Sequence, residues 1–163
     1  MKRILLLRHT KSSWDDPSLP DHERPLAPRG RRAAERLAQH LRASGLAPQL
    51  VLCSSARRTV ETLERLGPAL EGSEERIEDE LYGAGDDDLL ERLRRLPEEL
   101  DRVALIGHNP GIHDLAVLLK RGGRRLDRYP TGALAVLEAE GPWTDLGPGR
   151  AKLVSFVTPK ELS

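Results

Sequence analysis

Cationic and imidazole side chains recur at three points in the sequence, each directly after a short apolar run. Arg8 and His9 follow the first run, Arg57 and Arg58 lie just beyond the second, and His108 follows a later one. Two arginines in the first turn of a helix are unfavourable, because the helix N-terminus is already the positive end of the helix dipole. A bound anion would balance that charge. Guanidinium, imidazole and backbone N–H groups together suit a phosphate group.

The elements that must position these side chains follow from the spacing of apolar residues. Short apolar runs predict strands over 3–7, 49–53, 102–107, 133–140 and 152–157. Amphipathic stretches predict helices over 28–45, 57–66, 86–96 and 111–122, the second capped by Ser54 or Ser55. This alternation predicts an α/β fold: a three-layer α/β/α sandwich with a mostly parallel central sheet and an antiparallel edge strand near the C-terminus.

In such a sheet the carboxyl ends of the parallel strands meet at one edge, where ligands bind. We therefore expect Arg8, His9, Arg58 and His108 to lie together at that edge. The longest irregular stretch, residues 10–27, directly follows His9. Long loops in compact domains are usually either functional or disordered.

Length and composition limit the possible functions. A chain of 163 residues predicts a single domain over 1–163, and 26 basic residues balanced by 26 acidic ones argue against a nucleic-acid partner. Cys53 cannot form an internal disulfide and is predicted to be a core residue. Only four consecutive apolar residues precede Arg8, too few for a signal peptide or a membrane span. We expect a cytoplasmic protein without a membrane partner and, because no apolar stripe stands out as an extra interface, a monomer.

The three clusters resemble the motifs of the histidine phosphatase superfamily, also called phosphoglycerate mutase-like. Its Arg-His-Gly motif appears here as Arg8-His9-Thr10, and its Gly-His motif as Gly107-His108. Its Ser-x-x-x-Arg-Ala-x-Gln-Thr motif matches residues 54–62 and selects Arg58 as the phosphate-binding arginine. The resemblance covers nearly the whole chain in order. Within the superfamily, the stretches RHTKSSW, RPLAPRG and GHNPG look like those of the short SixA-type phosphohistidine phosphatases.

This resemblance implies a mechanism and a set of site residues. His9 would attack phosphorus and form a covalent phosphohistidine, which water then hydrolyses, while Arg8, Arg58 and His108 surround the phosphoryl oxygens. It implies no cofactor and no metal, since the guanidinium groups supply the positive charge. Further candidates are Glu80 as proton donor, with Asp79, Asp15 and Asp16 as alternatives, and Lys11 and Ser12 as additional phosphate ligands.

The sequence departs from the family pattern at three positions. Thr10 replaces a glycine or alanine, Thr59 replaces alanine and Glu61 replaces glutamine. Thr10 would either crowd the phosphate or donate its hydroxyl to it.

The resemblance implies a phosphatase for phosphomonoesters or phosphoramidates, above all for phosphohistidine on a protein such as a histidine-phosphorylated signalling protein. One alternative is a small-molecule phosphatase or mutase on the same fold, acting on a small phosphorylated metabolite. The mutase is disfavoured because the chain lacks a large insertion between its motifs. The other alternative is a catalytically silent module that binds phosphorylated ligands, for which a nucleophilic histidine would be unnecessary.

Overall fold

A six-stranded sheet forms the centre of the computed structural model, which describes residues 1–162. The strands are β1 (Lys2–Arg8), β2 (Leu50–Ser54), β3 (Glu74–Glu78), β4 (Arg102–Gly107), β5 (Leu134–Ala139) and β6 (Ala151–Val157). Their order across the sheet is β3-β2-β4-β1-β5-β6. The first four strands are parallel to one another, whereas β5 and β6 run antiparallel to their neighbours. The predicted antiparallel strand at the C-terminal edge is confirmed.

Helices cover both faces of this sheet, as predicted. They are α1 (Pro28–Ala43), α2 (Arg57–Arg65), α3 (Asp86–Arg94) and α4 (Gly111–Leu119). Leucines of α1 and α2 pack on one face, and those of α3 and α4 pack on the other. Strand β1 contributes side chains to the core on both faces of the sheet, because Ile4 and Leu6 face α3 and α4 while Leu5 and Leu7 face α1 and α2. Burying each of these side chains contributes about 1.5–3 kcal/mol to stability.

The observed elements differ from the sequence-based expectations at two places. Strand β3 was not predicted, because four of its five residues are charged and it lies at the sheet edge, where its side chains remain largely exposed. The predicted side-chain cap of α2 is absent from the described residues: the N-cap position is Ala56, and Ser54 is the last residue of β2. The hydroxyl of Ser54 has a different partner, described below.

The fold brings the ends of β1, β2 and β4 to the same level of the sheet. Arg8 pairs in register with Gly107, and Cys53 with Ile106. Beyond β1, the backbone N–H of His9 donates to the carbonyl of Gly107 (3.1 Å), and the N–H of Gly132 donates to the carbonyl of His9 (2.9 Å). The backbone of His9 is therefore held on both sides.

None of the helices within residues 1–162 is both long and apolar enough to cross a membrane.

Candidate active site

His9 is buried, with 5% of its surface exposed, and its ring has a defined orientation. Its Nδ1 lies 2.7 Å from the carbonyl oxygen of Thr10. A carbonyl can only accept a hydrogen bond, so Nδ1 carries the proton and Nε2 keeps its lone pair. Burial, together with the nearby charges of Arg58 and Arg8, lowers the pKa of His9 to about 3. At neutral pH the ring is thus an uncharged nucleophile with Nε2 as the reactive atom.

His108 stands beside this nucleophile. The two imidazole centroids are 5.3 Å apart, and His108 Nε2 lies 2.8 Å from Ser54 Oγ. Burial, reinforced by the positive charge of Arg58, lowers the pKa of His108 to about 4. His108 is therefore neutral at physiological pH and can act on an anion through an N–H group rather than through a full charge. Sequence reasoning assigned Ser54 to a helix cap and missed this contact.

The two arginines are fixed by acceptors from distant parts of the chain. Arg8 Nη1 donates to the carbonyl of Tyr129 (3.1 Å), and Arg58 donates from Nη1 to the carbonyl of Asp21 (2.8 Å). Burial and the charge of Arg58 lower the pKa of Arg8, which shows that the two guanidinium groups act on each other. A half-buried cation, Arg8, and a buried one, Arg58, have few anionic partners, which favours the binding of a multiply charged anion.

Several buried nitrogens in this group have no partner. Within residues 1–162, Arg8 Nε, Arg58 Nε and His108 Nδ1 are buried and lack a hydrogen bond. Such nitrogens are uncommon in native proteins, and here they belong to side chains whose charges act on His9. This combination is typical of a site that binds polar ligands.

The neighbouring arginine on α2 has a different environment. Arg57 is exposed and its Nε donates to Glu61 (3.2 Å), whereas Arg58 is only 6% exposed. The structure therefore places Arg58, and not Arg57, with the histidines, as the family motif implied.

One carboxylate of this site was not predicted from the sequence. Asp21, in the loop between β1 and α1, accepts from Arg58 Nη2 (3.0 Å) and from the hydroxyl of Tyr82 (2.6 Å). These bonds, Tyr82 first, hold the pKa of Asp21 well below its usual range, so this carboxyl is ionised at neutral pH. Tyr82 also stacks edge-on against His108, at 5.5 Å between ring centroids. Nothing in the local spacing of Asp21 or Tyr82 indicated these roles.

The carboxyl groups suggested as proton donors lie in other environments. Glu80 has 61% of its side chain exposed and pairs with Arg92 (4.0 Å) and Arg95 (3.9 Å). Asp15, Asp16 and Asp79 are all exposed, and Asp16 accepts hydrogen bonds from Ser18. None of the contacts described within residues 1–162 joins these four carboxyls to either histidine.

Thr10 makes two contacts with Thr62 of α2. Its N–H donates to Thr62 Oγ1 (3.2 Å), and its own hydroxyl lies 3.3 Å from the same oxygen. Thr62 in turn donates to the carbonyl of Arg58 (2.7 Å). The threonine at position 10 thus connects the loop after β1 to the turn of α2 that carries Arg58.

The other residues near Thr10 mainly secure the loop. Glu61 Oε1 accepts from the N–H of Leu26 (2.7 Å), which attaches the end of the 10–27 stretch to α2. Ser12 is buried and accepts from Arg24 Nη1 (2.9 Å). Lys11 is exposed and lines a groove discussed below.

Across the described chain, no set of three or more His, Cys, Asp or Glu side chains is arranged to hold a metal ion. The thiol of Cys53 lies in the core, where burial raises its pKa to about 12.

Comparison with known proteins agrees with this geometry. A protein of Mycobacterium tuberculosis without an assigned function is 36% identical over 165 residues, which cover 94% of this chain and 100% of the relative. A candidate phosphohistidine phosphatase SixA from Nakamurella multipartitia has a similar structure, with a TM-score of 0.87 and 33% identity over 97% of this chain and 96% of that one. Another from Agrobacterium tumefaciens has a TM-score of 0.82 and 30% identity over 97% and 98% of the two chains.

The family itself is identified from the sequence. Residues 4–109, more than half of the chain, match the Histidine phosphatase superfamily (branch 1). This range contains Arg8, His9, Arg58 and His108. The chain therefore belongs to branch 1 of the histidine phosphatase superfamily, with the phosphoglycerate mutase-like fold.

Proposed function

We propose that this protein hydrolyses phosphohistidine on a protein substrate, through a covalent phosphohistidine on its own His9 and without a metal ion. The observation that carries the proposal is the hydrogen bond from His9 Nδ1 to the Thr10 carbonyl at 2.7 Å. It fixes the tautomer that exposes a nucleophilic Nε2, in a ring kept neutral by burial and by the neighbouring cations.

In the first step, the lone pair of His9 Nε2 forms a bond to phosphorus while the bond from phosphorus to the leaving nitrogen breaks. The leaving imidazole takes that electron pair. Charge spreads over the three equatorial phosphoryl oxygens, where Arg8, Arg58 and an N–H of His108 stabilise it. In the second step, the oxygen of a water molecule forms a bond to phosphorus while the bond from phosphorus to His9 Nε2 breaks and returns its electron pair to Nε2, and the protons of the water leave with the inorganic phosphate.

The protonation states of the site favour a phosphohistidine over an ester. An ester releases an alkoxide, a poor leaving group that requires a proton donor, whereas an imidazole can leave already protonated. The carboxyl bonded to Arg58 is Asp21, and its lowered pKa keeps it ionised and unable to donate. Glu80 remains a proposed donor for ester substrates, from the exposed position described above.

Two comparisons also support this substrate class. The proteins from Nakamurella multipartitia and Agrobacterium tumefaciens, described as candidate phosphohistidine phosphatases, are 33% and 30% identical to this chain over 97% of its length. A histidine-phosphorylated signalling protein is the partner that we propose on this basis.

Phosphate release tests the proposal directly. A phosphohistidine-bearing protein and an aryl phosphate are each incubated with wild type and with His9→Ala, in the presence of a chelator. We expect release by wild type only, faster from the phosphohistidine. Faster release from the aryl phosphate would instead favour a small-molecule phosphatase. Binding of a phosphate analogue without turnover would favour a silent binding module.

A further inference from the structure

A basic groove lies on the antiparallel side of the sheet, outside the group of residues that carries the proposed chemistry. It has a volume of about 1000 Å³. One wall is formed by Lys11 with Arg29 and Arg36 of α1, and the other by Arg124, Arg125 and Arg128 from the segment between α4 and β5. Lys and Arg total 26 in the chain and are balanced by 26 Asp and Glu, so this concentration of positive charge is local.

The first wall is built into the fold. Arg29 and Arg36 are two helical turns apart and so share one face of α1. Lys11 is held against the start of this helix, because its carbonyl accepts from the N–H of Ala27 (2.9 Å) and a Cβ on Gly30 would lie only 2.0 Å from that carbonyl oxygen. Within residues 1–162, Arg36 Nε is buried without a hydrogen-bond partner.

The second wall is exposed to solvent. The side chain of Arg125 is 86% exposed and its ion pair with Asp127, at 3.3 Å, involves a carboxylate that is itself 70% exposed. Asp127 is the acidic residue among the described groove-lining residues. Exposed ion pairs of this kind contribute little stability, so these arginines remain able to exchange partners.

The groove lining is joined through the chain to residues that contact the catalytic group. Pro130 and Thr131 line it, and the residues on either side of them contact the site: the Tyr129 carbonyl accepts from Arg8, and the Gly132 N–H donates to the His9 carbonyl. Lys11 is two residues beyond His9. A substrate whose phosphoryl group reaches His9 would therefore place its neighbouring segment along this groove.

We propose that the groove binds an acidic segment of the phosphorylated protein substrate, an inference that rests on the proposed function and specifies its partner. Several separated cations require several anionic groups, more than one phosphate supplies. Pockets for small molecules are mostly apolar and enclose their ligand, whereas here charged side chains stand in solvent on an open wall. Complementary charge of this kind increases the rate of encounter and selects the partner.

Paired peptides test this inference. Each carries one phosphohistidine, flanked on both sides by either four glutamates or four glutamines. At low ionic strength we expect wild-type kcat/KM to be roughly tenfold higher for the glutamate peptide, because a few weak ion pairs add up to about that factor. The triple variant R124E/R125E/R128E should lose this preference. R42E/R65E/R150E, which changes the net charge equally at exposed residues outside the groove lining, should keep it.

Two further measurements keep the test decisive. Hydrolysis of an aryl phosphate should be equal in all three proteins, which shows that the variants are folded and active. Fluorescence anisotropy of the unphosphorylated glutamate peptide measures binding to the groove independently of catalysis. It should show binding by wild type that R124E/R125E/R128E loses.

Equal kcat/KM for both peptides in wild type overturns the groove proposal and leaves the phosphatase proposal intact. Tighter binding of inorganic tripolyphosphate than of the peptide also overturns it, in favour of a small polyanion. Peptide binding without any turnover by wild type would support the groove and contradict the phosphatase.

Discussion

The protein holds two groups of cations that differ in almost every physical respect. Arg8 at the end of β1 and Arg58 in the first turn of α2 are held by backbone carbonyls and lie beside two neutral histidines. The groove arginines Arg124, Arg125 and Arg128 lie in an irregular segment before β5 and are exposed. The first group is preorganised and partly desolvated, whereas the second is exposed to solvent, where salt screens its charge.

This difference indicates a division of roles. Fixed donors in a water-poor site stabilise charge that develops during a reaction, because they need no reorganisation at that moment. Exposed cations act at longer range and over more of a partner's surface. We therefore expect changes in the buried group to alter turnover, and changes in the exposed group to alter partner preference and salt dependence.

The largest expected effect is a difference in kcat between substitutions at two adjacent arginines. Arg58→Lys should lower kcat by about 10³-fold, because an ammonium group cannot supply the geometry of a buried guanidinium. Arg57→Lys is the matched control and should change kcat less than about twofold, since Arg57 is exposed and pairs with Glu61. Steady-state kinetics on a phosphohistidine protein measures both. Equal losses in the two variants would contradict the contrast between buried and exposed cations.

A smaller effect on kcat is expected from removing a hydroxyl group that orients His108. Ser54→Ala removes the hydroxyl 2.8 Å from His108 Nε2, and should lower kcat between about 10- and 100-fold with KM nearly unchanged. Thermal unfolding of the same variant checks that the fold persists. An unchanged kcat would show that Ser54 does not position His108.

The next largest effect is expected from weakening the contact that holds the loop carrying Asp21 against α2. Glu61→Ala removes the acceptor for the Leu26 N–H and should lower the free energy of unfolding by about 1–2 kcal/mol. Glu61→Gln keeps an oxygen acceptor there and loses mainly the ion pair with Arg57, so its loss should be under 1 kcal/mol, about the value of an exposed pair. Urea unfolding distinguishes the two variants, and equal losses would show that the loop contact does not matter.

The smallest expected effect is that of mild acid on activity. With the pKa of His9 at about 3 and that of His108 at about 4, kcat/KM on an acid-stable aryl phosphate, corrected for the substrate's own second ionisation at about pH 6, should stay nearly constant from pH 7 to about pH 5 and fall below about pH 4. Activity falls as pH decreases because protonation of His9 removes the lone pair that attacks phosphorus. A decline in kcat/KM that begins near pH 6.5, the ordinary pKa of histidine, would contradict the explanation that burial keeps these histidines neutral.

The same two histidines link pH to stability. Unfolded, each binds a proton near pH 6.5, whereas folded it does so only near pH 3 or 4. The unfolded state therefore binds more protons below pH 6.5, so the free energy of unfolding should decrease as pH falls from 6.5 towards 3. His9→Asn should show a shallower decrease in urea unfolding measured at each pH.

Much of the fold could be predicted because apolar periodicity is strong in the interior. Strands β1, β2 and β4 are continuous apolar runs, as expected where both faces of a sheet are covered. Strand β3 could not be predicted in this way. Four of its five residues are charged, and pairing with β2 rather than burial makes it a strand.

A site residue could be predicted from the sequence only where the arrangement of the strands in the sheet determines its position. Arg8, His9, Arg58 and His108 follow from the ends of three strands that meet at one edge. Asp21 and Tyr82 lie far apart in sequence, and their contacts with the site depend on how the irregular loop after β1 folds back over α2. Local patterns carry no information about such long-range contacts between polar side chains.

The central claim is that His9 becomes phosphorylated during turnover. Incubating the protein with a ³²P-phosphohistidine protein in chelator, followed by rapid denaturation in alkali, would trap the intermediate. We expect a label that is stable in alkali, is lost in acid and maps to the peptide containing His9, and that is absent from His9→Ala. Sustained phosphate release with no label on His9 would contradict the account.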